Sequence, residues 1–120
     1  MKTFDDLKFG PHPHAKDLGV LATTTLENGY AFSVVANEEG GDMFYGNHPD
    51  TYEVAVFNQR GNTVPLSVSG DWLGWQSPHQ ITSLMHQFEL DGFLHEKLLV
   101  DLRNDFNKKV VAKHKEEALY

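Results

Sequence analysis

Apolar and polar positions alternate along three stretches of this chain and give way near residue 80 to a helical spacing. In the first stretch Val20, Ala22, Thr24 and Leu26 share one face of an extended segment, with Leu21, Thr23 and Thr25 on the other. Asn28-Gly29 follows, a pair that supplies the positive φ angles of a two-residue type I′ turn. A second alternating run then sets Tyr30, Phe32 and Val34 against Ala31, Ser33 and Val35, which predicts a hairpin. Residues 36–50 read as a long loop, with the pair Phe44-Tyr45 favouring partial order.

Tyr52, Val54 and Val56 alternate with Glu53, Ala55 and Phe57, and the polar stretch 58–62 leads into residues 63–68 as the return strand of a second hairpin. Pro65 has no amide hydrogen to give a ladder, so that strand is expected at an edge or with a bulge. Residues 69–76 form a glycine-punctuated loop that holds both tryptophans, Trp72 and Trp75. Ser77, Pro78 and Gln80 make a capping-box start, after which Ile81, Leu84, Met85 and Phe88 recur on one stripe. Leu90-Asp91-Gly92 is expected to end that helix. A second helix follows with Leu94, Leu98, Leu99, Leu102, Phe106 and Val110 on one face, and Lys113 beyond them loosens the packing of the tail.

These patterns predict an α+β fold in a single domain: an antiparallel sheet of about four strands, made of two hairpins, followed by two C-terminal helices packed on the sheet. Residues 1–19, with Pro11 and Pro13 fixing φ, form an extended N-terminal arm, residues 20–68 the sheet and residues 77–119 the helical part. With 120 residues, 40% of them hydrophobic, the chain is long enough to bury one core.

Charge separates this body from its tail. Residues 1–90 carry only Lys2, Lys8, Lys16 and Arg60 against eleven carboxylates, whereas residues 91–120 carry six charges of each sign, so the net −7 resides in the body. Binding to a duplex needs several cations on phosphates, so no direct contact with duplex nucleic acid is expected. The absence of cysteine removes disulfides and thiolate zinc sites, and no run of eighteen apolar residues stands in the chain. With no signal-peptide pattern at Met1–Asp6, the expected location is the cytoplasm, away from membranes.

Candidate chemistry is sparse. His12 and His14, two apart in an extended segment, together with His48 and Asp50, have the ligand types for a divalent metal, although Pro11 and Pro13 equally suit a surface hinge. No G-x-S-x-G, H-E-x-x-H or P-loop pattern occurs, so no catalytic residue and no cofactor are expected. Tyr45, Trp72 and Trp75 place flat rings beside glycines, which suits a pocket for a base or a partner side chain; the plainer reading is that they close the ends of the core. Arg60 and Arg103, the two arginines, are the candidates to hold a phosphate or carboxylate. Val100, Val111 and Ala118 form a second apolar strip on the long helix, consistent with either homo-oligomerisation or a chance cluster on a solvated face.

The run Lys8-Phe9-Gly10-Pro11-His12-Pro13, residues 28–35 (NGYAFSVV), Tyr45-Gly46 and residues 52–56 (YEVAV) resemble small uncharacterised proteins encoded by tailed bacteriophages, over about half of the chain. The resemblance carries no catalytic signature and transfers no functional residue. It implies expression in the cytoplasm of an infected bacterium and a role in binding and blocking a host factor, a defence component included. The expected function is therefore a non-enzymatic accessory protein that modulates a host protein. Two alternatives are a sponge for a nucleotide-type signal, such as a cyclic nucleotide or an ADP-ribose derivative, and a metal-dependent hydrolase built on the histidines.

Overall fold

A computed structural model describes residues 1–68 and 70–118, so residue 119 and the side chain of Ala118 lie outside it. Strands β1 (Gly10–His12), β2 (Lys16–Thr25), β3 (Ala31–Asn37), β4 (Tyr52–Phe57) and β5 (Trp72–Gln76) precede one helical element, α1 (Pro78–Ala118). They form a five-stranded antiparallel sheet in the order β1-β2-β3-β4-β5. Each strand thus pairs with its sequence neighbour, which short connections favour.

Alternation decides which face is buried. Val20, Ala22 and Leu26 of β2 and its turn, Tyr30, Phe32 and Val34 of the next run, and Tyr52, Val54 and Val56 of β4 are all buried. Their registers, Ala22 opposite Val34 and Phe32 opposite Val56, stack these side chains across strands on one face. Ile81, Met85 and Phe88 of α1 are fully buried against that face, with Leu84 and Leu99 packed at its margin. The Ser77 capping box forms as expected: the Ser77 amide donates to Gln80 Oε1 at 2.8 Å, and the Gln80 amide donates to Ser77 Oγ at 3.2 Å.

The sheet has five strands where four were expected, because both flanks recruit segments read as irregular. The N-terminal arm is not free: Thr3 caps a 3-10 turn over Phe4–Asp6, Leu7 enters the core, and Gly10 and Pro11 pair with Leu21 and Val20. The second hairpin also differs. Residues 63–68 contribute only an isolated Phe57–Thr63 bridge and one further bond, from the Val64 amide to the Val56 carbonyl at 2.8 Å. Pro65, with no donor, follows at the point where the ladder stops. The partner of β4 is instead β5, the glycine-punctuated segment with the tryptophans.

The first turn is longer than Asn28-Gly29 alone implies. Leu26 and Tyr30 close it through a 2.8 Å bond, leaving Glu27, Asn28 and Gly29 in the loop, and only Gly29 has positive φ, at 94°. That is the three-residue hairpin ending in a left-handed glycine. Asn28 turns its side chain to the helix and donates Nδ2 to the Phe88 carbonyl at 2.9 Å.

The two expected helices are one element, broken at Asp91 alone, where φ is −137° and ψ 36°. Gly92 permits the bend to sit tight on the sheet, since a Cβ there would lie 2.5 Å from the Tyr30 ring. Beyond the kink the helix does not pack its main apolar stripe on the sheet: Leu94, Leu98, Leu102, Phe106 and Val110 are exposed. Glu96 and Arg103 attach it to the body instead.

Candidate functional site

One buried amide organises the loop between β3 and β4. Asn37, which is 4% exposed, donates Nδ2 to the Phe44 carbonyl at 2.8 Å and to Asn47 Oδ1 at 3.2 Å, while its Oδ1 accepts from the Phe44 amide at 2.9 Å. Its backbone accepts from the His48 amide and donates to the Gly46 carbonyl. A buried polar side chain has to be satisfied in this way, and the loop is held as the result. Gly46 lets the loop close on β4, because a Cβ at that position would stand 2.5 Å from the Tyr52 Cα.

This arrangement delivers Tyr45 to the edge of the sheet beside β5. The Tyr45 amide donates to Glu53 Oε1 at 3.2 Å, and its carbonyl accepts from the Trp75 amide at 2.7 Å. Gly74 makes the approach feasible, as a Cβ would come within 2.7 Å of the Tyr45 Cβ. Trp75 itself has φ 56°, a left-handed conformation that costs a residue with a side chain roughly 1–2 kcal/mol and that clusters at functional sites. The Tyr45 and Trp75 rings meet edge to face, 6.5 Å between centroids.

Tyr45, Trp72 and Trp75 are 55%, 49% and 53% exposed. With Ser67, Gly70 and Gly74 they line an open cleft of ≈ 350 Å³. The rings stand on the rim rather than closing the core, whose ends are filled by Phe4, Phe9 and Tyr52.

The arginines take other roles. Arg103 donates to Asp71 at 2.5 Å, to the Ser67 carbonyl at 2.6 Å and to the Gly70 carbonyl. Its hydrogen bond holds the Asp71 carboxyl below the usual carboxylate range, outweighing partial burial, and the Thr63 hydroxyl acts in the same direction. The guanidinium therefore anchors the far wall of the cleft. Arg60 lies in the turn that follows β4, where its amide donates to Asn58 Oδ1 at 3.0 Å.

The histidines are not brought to one point. His12 Nδ1 accepts from the His14 amide at 3.1 Å, and its ring packs on Phe44 with centroids 4.8 Å apart. His48 Nδ1 bonds the Tyr52 hydroxyl at 2.9 Å, and its Nε2 is 4.0 Å from Glu38. Asp50 uses its backbone amide to close the turn on Asn47. Among the described residues no three His, Asp or Glu side chains form a group able to hold a metal ion. Phe9, Glu38, Asp17 and His48 line a second cleft of ≈ 370 Å³ at the β1 side, where burial, with Asp50 and Glu38 nearby, pushes the Tyr52 phenol up.

Sequence reasoning missed Asn37 and Asp71, and found Gly46 and Gly74 only as neighbours of the rings. A polar residue ending an otherwise apolar strand is the one available signal for Asn37, and a glycine between two tryptophans is the signal for Gly74. Comparison with protein-family models, curated proteins and solved structures found no match. No helix among the described residues is long and apolar enough to cross a membrane.

Proposed function

We propose that this protein is a non-enzymatic binding module of the phage-accessory type, and that it modulates a host protein by capturing a basic segment on the rim formed by Tyr45, Trp72 and Trp75. The observation that carries the reading is a cleft of ≈ 350 Å³ bordered by three half-exposed aromatic rings and lined by no lysine or arginine. Tryptophan and tyrosine dominate protein-binding hot spots, and their faces attract guanidinium and ammonium groups. Glu53 stands beside the rim, and the body around it is strongly acidic, which attracts the same partner over longer range.

The nucleotide-sponge alternative has the stacking rings and lacks the counter-charge. Arg103 is committed to Asp71 and two carbonyls, and Arg60 is not among the residues that line the cleft.

Trp72 and Trp75 are the chain's two tryptophans, so intrinsic fluorescence reports on the rim directly. An arginine-rich peptide is expected to give a saturable change that weakens about tenfold in Trp72→Ala. A saturable response to cyclic nucleotides or ADP-ribose with none to the peptide would replace this reading with the sponge. Affinity capture from host lysate, wild type beside Trp72→Ala, then names the factor retained by the first and lost by the second.

A further inference from the structure

The half of α1 beyond the Asp91 kink is only partly attached to the molecule. Facing the body are Gly92 against Tyr30, Glu96 accepting from the Tyr30 hydroxyl at 2.8 Å and from Asn58 Nδ2 at 2.9 Å, Leu99 at the core margin, and Arg103 on the Ser67 and Gly70 carbonyls. Arg103 is the last side chain of the helix, among the described residues, to bond the body. From there the helix continues to Ala118, about fifteen residues, a length at which an unsupported helix in water is marginal.

A ridge of apolar side chains runs along this half outside the core. Leu94, Leu98, Leu102, Phe106 and Val110 recur every four residues and are 58%, 52%, 56%, 39% and 37% exposed. The row spans roughly 24 Å at 1.5 Å per residue. Rows at this spacing interdigitate with one another in the commonest class of helix pair, so the ridge is complementary to its own copy.

Charge selects the orientation. Residues 107–115 carry Lys108, Lys109, Lys113 and Lys115 with no carboxylate, whereas residues 89–96 carry Glu89, Asp91 and Glu96 with no lysine or arginine. A parallel pair would set lysines against lysines. An antiparallel pair crossing at Leu102, at the roughly 50° that rows of this spacing impose, places Leu98 beside the partner's Phe106 and turns each lysine-rich end toward the partner's acidic one.

From this we infer that the chain forms a two-fold dimer in which the exposed ridges of two α1 helices pack antiparallel, centred on Leu102. The ridge uses none of the side chains of the aromatic rim, which lie on β5 and the β3–β4 loop. Each copy supplies the cover that the other copy's overhanging helix lacks, and the assembly presents two rims to a partner.

The cysteine-free chain makes the test clean, because a single introduced thiol is unique. Helices about 8–10 Å apart, each with Cα atoms about 2.3 Å off the axis, bring facing Cα atoms into the range a disulfide spans. Leu102→Cys is expected to cross-link to itself under mild oxidation. Leu98→Cys and Phe106→Cys are expected to cross-link far more readily when the two variants are mixed than either does with itself. Sedimentation should show a dimer for wild type and a monomer for Leu98→Glu with unchanged circular dichroism, since Leu98 is half exposed and lies outside the core. A wild-type monomer at tens of micromolar overturns the proposal, and preferential self-linking of Leu98→Cys overturns the antiparallel arrangement.

Discussion

Asn37 shows how much of this fold rests on single polar groups. One buried amide makes three side-chain hydrogen bonds to the loop that carries Tyr45, and removing it leaves the Phe44 amide and carbonyl unsatisfied. Asn37→Ala is expected to cost about 2–3 kcal/mol in denaturant unfolding and to speed hydrogen exchange at Phe44. Tyr30 gives a pH signature of its own. Burial first, then its bond to Glu96 and the nearby Glu96 charge, push its phenol from the ordinary 10.0 up to about 12. Above pH 10 the unfolded chain releases this proton and the folded chain keeps it, so the stabilisation is full below pH 10 and is lost as the pH rises toward 12. Tyr30→Phe should flatten that alkaline limb, measured as melting temperature against pH, while lowering stability at neutral pH. Asp71 has the opposite sign: its depressed value adds stability above the usual carboxylate range that disappears as acid titrates it, and Asp71→Asn removes that acid limb.

At the scale of elements, local signals set some features of the fold and tertiary pairing sets the others. The Ser77 box, the burial of Ile81, Met85 and Phe88, and the alternating faces of β2, β3 and β4 follow from short-range pattern and were legible from it. Ser77→Ala is expected to destabilise by about 1 kcal/mol, and Phe88→Ala, which opens a cavity against Tyr30 and Phe32, by about 3–5 kcal/mol, both read from chemical denaturation. The last strand was not legible. Thr63–Val68 has the better strand composition, yet Pro65 denies it a ladder and β4 pairs with Trp72–Gln76, whose glycine is needed for contact with Tyr45. Helix α1 shows a related limit: periodicity finds the stripe Leu94–Val110 but is silent on whether the sheet or another molecule covers it.

Across the whole molecule, the charge division of the chain survives as geometry: an acidic sheet body carrying an aromatic rim, and a charge-balanced helical half that overhangs it. A body so poor in free cations should leave the mobility of duplex DNA unchanged at about 10 μM protein, and a salt-sensitive shift would contradict that. The amino-acid sequence by itself determined the period of each segment, the caps, the excess of carboxylates and the absence of cysteine, because these are local or additive properties. Only tertiary structure decided that Arg103 closes on Asp71 and two carbonyls instead of awaiting a ligand, that His12, His14, His48 and Asp50 form no common group, and that three rings gather on one rim. Those outcomes depend on which strands neighbour one another and where loops cross, and contacts between residues thirty or more positions apart leave no spacing to read.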